Sequence, residues 1–251
     1  MRNMQVNLEK KLFILGKKSE LVDFFCKPIE KNKSSQIILP CSLNDLALLQ
    51  NNDFYDSVDF CTSDSMWLTR FFNLRYLKSF DRVYGPDLML SVLSIFNKTK
   101  SKQSHCFVCA DQETFEKMQR VVAHKYPKLH AKYFCLPKIA VLEKKCLRAV
   151  IQAKSKFIWL GIGSPKQLEL AAWLKENSTE TKIFCVGAAF SFMTGKVKQA
   201  PILMQRIGLE WLWRLLVEPR RLWRRYLIII PKYLVKMLGT KLLTFIKKIK
   251  L

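Results

Sequence analysis

The sequence predicts an α/β fold, a Rossmann-like and mostly parallel sheet with helices on both faces, followed by a basic helical appendage. Short apolar runs alternate with helical stretches in the manner of βαβ units. The 251 residues, 49% apolar and 12% aromatic, suffice for one sizeable core or one domain with an appendage. The charge is uneven: residues 196–251 carry 14 Lys and Arg against Glu210 and Glu218, over half of the formal net charge of +23. The expected division is therefore an α/β domain over 1–195 and a basic helical appendage over 196–251.

The elements follow in order. A Lys-rich opening to Ser35 holds one short strand at Leu12 to Leu15. QIILPC at 36–41 is the first clear buried strand, with a helix over 43–49. A second short strand, Val58 to Cys61, stops at the polar turn Thr62 to Ser65. A helix is predicted from Pro86 to Asn97, proline being suited to a first turn. Strand 105–110, helix 113–126, strand 132–136, helix 142–154, strand 157–161, helix 165–177 and strand 182–187 complete the series. Residues Ala188 to Gly195 read as a turn. Beyond it Trp211, Trp213 and Trp223 alternate with Arg214, Arg220, Arg221, Arg224 and Arg225. Guanidinium groups where a core helix would carry leucines point to an anionic partner, because the planar fork matches phosphate or carboxylate. A solvated basic face with tryptophan anchors has the same residue types.

A net charge of this size implies nucleic acid, an acidic membrane surface or a phosphorylated substrate. Most of the eight cysteines sit in or beside β-type runs, where a thiol behaves as a small buried hydrophobe. Cys106 and Cys109 form a C-x-x-C, but residues three apart on a strand point to opposite faces, and no second pair follows at zinc spacing. No metal site is expected. The opening MRNMQVNLEKKLF lacks the apolar run of a signal peptide, which with reduced thiols predicts a cytoplasmic address. LIII at 227–230 is too short to span a bilayer. From Pro231 onward, Leu234, Val235, Leu238, Leu242, Phe245, Ile246 and Ile249 share one helical arc. Lys232, Lys236, Lys247 and Lys250 lie opposite, the pattern of a helix lying on an anionic membrane. A helix packed on a partner subunit has the same pattern.

In an open α/β sheet the ligand binds outside the carboxyl ends of the strands. Ser42 and Asn44, Asp64, the loop Gly161 to Gln167 with Gly163, Ser164 and Pro165, and Gly187 to Gly195 with Ser191 all fall there, so one cleft is expected. The GIGSP loop follows a strand and opens a helix, a place where backbone N–H groups hold phosphate, although a plain βα turn reads the same way. Asp64 is a candidate general base or, in its T-S-D-S setting, a turn former or cap. On residue types Arg82 is an ion-pair partner for Asp81 or Asp87, and Asp87 a candidate helix cap.

Five stretches in order, SLNDL at 42–46, DRVYGPDL at 81–88, GIGSPKQ at 161–167, GKVKQAP at 195–201 and GLEWLWRLLVEPRRLWRRY at 208–226, resemble the WecG/TagA/CpsF family of bacterial glycosyltransferases. The resemblance spans about 36–227 and implies a metal-independent, inverting transfer from a nucleoside-diphosphate sugar, UDP expected, to a polyprenyl-diphosphate-linked sugar of cell-surface polysaccharide or teichoic acid. It implies Asp64 as base and Arg82 beside the leaving diphosphate. Ser42, Asn44, Gly163, Ser164, Pro165, Gln167, Gly187 and Ser191 are then expected around donor and acceptor sugar, and Arg214, Arg221 and Arg224 at the acceptor diphosphate. No cofactor and no nucleic acid are implied; a homo-oligomer is compatible, at the cytoplasmic face of the inner membrane. Three positions depart from the pattern: Ser65 stands where glycine is usual, Leu168 for glutamate, and Ser191 for the aspartate of F-D-F. A non-catalytic basic protein binding membrane or nucleic acid is the alternative. A nucleotide-dependent oxidoreductase lacks the acidic residue expected about 20 positions after a full glycine fingerprint.

Overall fold

The structure is a computed structural model that describes residues 3–49, 52–136 and 144–236. Its elements in chain order are β1 (Met4–Leu8), β2 (Lys11–Leu15), α1 (Lys18–Cys26), β3 (Gln36–Cys41), α2 (Leu43–Leu49), α3 (Asp53–Asp56), β4 (Phe60–Ser63), α4 (Met66–Tyr76), α5 (Gly85–Thr99), β5 (Ser104–Cys109), α6 (Gln112–Lys125), β6 (His130–Cys135), α7 (Lys144–Gln152), β7 (Phe157–Gly161), α8 (Lys166–Glu176), β8 (Lys182–Cys185), α9 (Ala189–Met193), α10 (Ile202–Ile207), α11 (Glu210–Val217) and α12 (Pro219–Arg224). A π-helical turn, Arg225–Ile229, continues α12 into a helical run over 230–236.

Eight strands form one sheet in the order β1-β2-β4-β3-β8-β7-β5-β6, parallel throughout except for the β1–β2 hairpin. Strands covered on both faces must be apolar at odd and even positions alike, and FIWLG of β7 and KIFC of β8 are buried almost throughout. Ile37, Leu39, Ile158, Leu160 and Ile183 face α2, α3, α4, α7 and α8. Ile38, Phe157, Trp159 and Phe184 face α1, α5, α6 and α9 on the other side. The thiols of Cys106 and Cys109 fall into different cores, as strand alternation requires. Lys182, buried in β8, donates to the carbonyls of Phe24 and Phe25 at the last turn of α1 (3.2 and 3.1 Å), a cation placed where the helix dipole is negative. Burial pulls its pKa down to about 8.

The expected parallel architecture is present, with corrections. β4 runs through Thr62 and Ser63, which the sequence reading placed in a turn; their hydroxyls are satisfied by the Val83 carbonyl (2.7 Å) and by Thr69 (2.6 Å). Residues 188–195 hold the short helix α9 rather than a turn alone. Strand β1 and helices α1 and α4 had no counterpart in the sequence reading. At 230–236, Tyr233 is buried in the core and Leu234 lines the cavity described below, so these residues dock on the α/β body. The rest of the proposed interfacial helix lies outside the described residues.

Candidate active site

The parallel strands deliver their carboxyl ends to one side of the sheet, and there a cavity of about 870 Å³ opens. It is walled by the ends of β3, β4, β7 and β8, by α4, and by α10 to α12 with the run that follows. Its charged lining among the described residues is Asp45, Asp64 and Glu210 against Arg82, Arg214, Arg221 and Arg225.

Asp64 follows β4 directly. Its N–H donates to the Cys41 carbonyl (3.0 Å), and its Oδ1 accepts the Gly85 N–H (3.0 Å). At Gly85 a Cβ would lie 3.0 Å from the Val186 carbonyl oxygen, a tight contact that a side chain there could keep only if the Val186 backbone gave way. Ser65 has φ −105° and ψ 145°, an extended conformation open to any residue, and its Oγ caps α4 by accepting the Leu68 N–H (3.2 Å). Serine is therefore accommodated where glycine is usual. Asp64 is half-buried and lines the cavity. Burial pushes its pKa up to about 7, with Asp45 and Glu210 adding and Arg82 and the Gly85 N–H opposing.

Arg82 is held from three sides. Its Nε donates to the Asp64 carbonyl (2.5 Å), its Nη2 to Glu210 Oε2 (2.6 Å), and its guanidinium lies 4.0 Å from the Tyr84 ring centroid. Neither sequence-expected partner takes it: Asp81 pairs with Lys17 (3.4 Å) and Asp87 with Lys18 (2.8 Å). Asp87 does not cap α5 either, because Tyr84 holds the N-cap position without a side-chain bond.

Ser42 and Asp45 form a capping arrangement at the start of α2. Ser42 donates from N–H (2.9 Å) and Oγ (2.6 Å) to Asp45 Oδ2. Asp45 Oδ1 accepts from Ser164 Oγ at 3.5 Å, which joins the β3 and β7 loops. Asn44 Oδ1 accepts from Arg225 Nε. Gln167 is buried; its Nε2 donates to Ser164 Oγ (3.0 Å) and its Oε1 has no partner, leaving an acceptor for a ligand N–H or O–H at the cavity wall. Gly161 must be glycine, because a Cβ would sit 2.2 Å from the Phe190 ring.

The structure thus brings Ser42, Asn44, Asp64, Arg82, Gly163, Ser164, Gln167, Gly187, Arg214 and Arg221 to one cavity. Three expected residues are not in its lining. Pro165 precedes α8 as its N-cap. Ser191 lies on α9 between Phe190, buried in the core, and Phe192, which lines the cavity, so successive helical positions turn the Ser191 side chain elsewhere. Arg224 is exposed, and Arg225, the next residue, lines the cavity in its stead. Asp45, Glu210, Arg225 and Tyr226 were not singled out from sequence as site residues. Of these Asp45 had a local signal, the S-x-x-D spacing of a capping box, and Arg225 stood among the arginines expected to face an anion.

The segment closing the cavity is tied down through backbone carbonyls. Trp67 Nε1 donates to Gly208 (3.0 Å), and Arg70 donates to Arg206 (3.0 Å) and Ile207 (3.2 Å), capping the last turn of α10. Arg214 lies with its guanidinium 5.8 Å from the Phe192 ring centroid, its Nε buried without a hydrogen bond. Such a cavity can hold a diphosphate against guanidinium groups while a carboxylate of near-neutral pKa meets a hydroxyl proton. No helix among the described residues is long and apolar enough to cross a membrane. A family model described as glycosyl transferase WecG/TagA/CpsF family matches residues 12–245, from β2 through the cavity-closing segment and beyond. With nearly its whole length matched, and the cavity built from the stretches that carry the resemblance, the chain belongs to the WecG/TagA/CpsF family of glycosyl transferases.

Proposed function

We propose that this glycosyltransferase transfers a sugar, with inversion, from a UDP-sugar to a hydroxyl of a polyprenyl-diphosphate-linked sugar in bacterial cell-envelope polysaccharide or teichoic acid synthesis. The observation that carries the proposal is Asp64: a carboxylate in the cavity with a pKa near 7, one oxygen fixed by the Gly85 N–H, beside Arg82. Asp64 takes the acceptor proton as the acceptor oxygen attacks the anomeric carbon. The C–O bond to the nucleoside diphosphate breaks on the opposite face, and Arg82 stabilises the charge that develops on the leaving phosphates. Ser164, Gln167 and Asn44 orient the sugars. Arg214, Arg221 and Arg225 face the acceptor diphosphate; Arg225 replaces Arg224 in this role because it lines the cavity.

A peripheral membrane location has support among the described residues. At the end of α4, beyond the Trp67 and Arg70 contacts with 206–208, Leu74 and the C-cap Leu77 are 79% and 88% exposed. On neighbouring α10, Ile202 and Leu203 are 68% and 70% exposed. Arg70, Arg75, Lys78 and Arg206 accompany them, and residues 65–80 and 196–209 contain no Asp or Glu. An apolar surface with cations and no carboxylate fits an anionic bilayer. Membership of a transferase family favours the enzyme over the basic-scaffold reading.

The test is label transfer from a panel of UDP-sugars, with CDP- and GDP-sugars alongside, to polyprenyl-diphosphate-linked GlcNAc in phosphatidylglycerol vesicles. Product from one donor, with the opposite anomeric configuration, is expected. Transfer only from donors with another nucleotide, or retention of configuration, contradicts the proposal.

A further inference from the structure

We infer that Glu210 is the displaceable counter-anion of Arg82, a positioning residue that the donor diphosphate must replace. The inference rests on the reading of Arg82 as the contact for the leaving phosphates. Glu210 opens α11, on the chain segment that closes the cavity, and it reaches Arg82 across 128 residues of sequence. The two side chains are only 12% and 18% exposed. With Nε on the Asp64 carbonyl and Nη2 on Glu210, two of the three guanidinium nitrogens are engaged. A diphosphate arriving at Arg82 therefore competes with a carboxylate already in place.

A buried carboxylate stripped of its partner is costly, so displacement needs somewhere for Glu210 to go. Arg214 supplies it. It stands one turn further along α11, where side chains four residues apart are neighbours. Its Nε is buried with no hydrogen bond, a donor waiting for an acceptor. Glu210 thus sits between the cation of the donor side and a cation of the acceptor side. Moving it from Arg82 to Arg214 exchanges one ion pair for another and couples donor arrival to the closing segment. A static structural pair predicts the opposite sign on mutation, because removing a brace loosens the cavity and weakens binding.

The experiment is calorimetric titration of UDP, and separately of inorganic pyrophosphate, into the full chain and its Glu210→Gln, Glu210→Asp and Arg82→Gln variants. Glutamine keeps the size of the side chain and removes the competing charge, so UDP is expected to bind about tenfold tighter. Aspartate restores the competition and brings the affinity back toward wild type. Arg82→Gln weakens UDP. If Glu210→Gln binds UDP equally or more weakly while Arg82→Gln is impaired, Glu210 is a brace and the inference is overturned, with the role of Arg82 intact. If Arg82→Gln binds UDP as the wild type does, the reading of Arg82 fails and takes this inference with it. A second readout needs no variant at Glu210. Arg214→Gln removes the charge that receives Glu210, so UDP is expected to bind several-fold more weakly to that variant. Unchanged UDP affinity in Arg214→Gln overturns the inference even if Glu210→Gln does not fold.

Discussion

Replacing Asp64 by asparagine is expected to stabilise this protein at alkaline pH. The carboxyl is raised from an ordinary 3.8 to about 7 in the fold, chiefly by burial. A carboxyl raised on folding contributes stability that is full below its unfolded value and is lost as pH climbs through the folded one. Between about pH 4 and pH 8 the wild type therefore gives up roughly 4 kcal/mol at this residue, at about 1.4 kcal/mol per tenfold change in proton affinity. Solvent entering the cavity screens part of this, so about 2 kcal/mol is the working figure. Asparagine carries no charge to bury and can still accept the Gly85 N–H through Oδ1. The assay is thermal unfolding of both proteins at pH 4.5, 6 and 8, scored as the difference in Tm, which cancels other titrating groups. About 2 kcal/mol corresponds to about 4–8 °C in a chain of this size, and the advantage of the variant must grow across that range. A difference independent of pH would refute the claim that the carboxyl is held ionised at a cost.

With Asp64 as the proposed base, kcat/KM is expected to fall about tenfold per pH unit below about 7, as its carboxylate is protonated, in a profile measured at subsaturating donor. Gly161→Ala drives a Cβ into the Phe190 ring and is expected to destabilise by about 1–3 kcal/mol or more in denaturant titration. Ser65→Ala removes the α4 cap and is expected to cost about 1 kcal/mol, whereas Ser65→Gly costs only a few tenths, which the same titration resolves. Arg214→Ala removes both an acceptor-side cation and the group that receives Glu210, and is expected to weaken UDP binding several-fold while lowering transfer to a diphosphate-linked acceptor by about tenfold or more, the larger loss appearing in acceptor turnover.

The parallel strands were legible because burial on both faces writes an unbroken apolar run, as in QIILPC and FIWLG. The β1–β2 hairpin was not. Its turn uses Glu9 and Lys10, both with positive φ (48° and 62°), where Asn-Gly would have signalled it. Helix α4 escaped for a related reason. One of its faces serves the chain closing the cavity, with Trp67 and Arg70 spent on carbonyls at 206–208, so its apolar pattern is broken. In the site, Asp64, Ser42, Gly163 and Gln167 were legible because strand ends converge by topology. Glu210 was not, nor was the pairing of Arg225, since their partners Arg82 and Asn44 lie 128 and 181 residues away and only the folded cavity brings them together. Ser191 and Arg224 show the converse: each was placed by a motif, and in the structure the next residue, Phe192 or Arg225, lines the cavity instead.

The most direct test of the central claim, that Asp64 is the base of a direct displacement, is the transfer rate of Asp64→Asn at pH 8 with saturating UDP-sugar donor and lipid-linked acceptor, alongside its affinity for UDP. A loss of about 10²–10⁴-fold in transfer with UDP affinity retained is expected for removal of a general base. Transfer within a few-fold of wild type would contradict the account and move the base to another group.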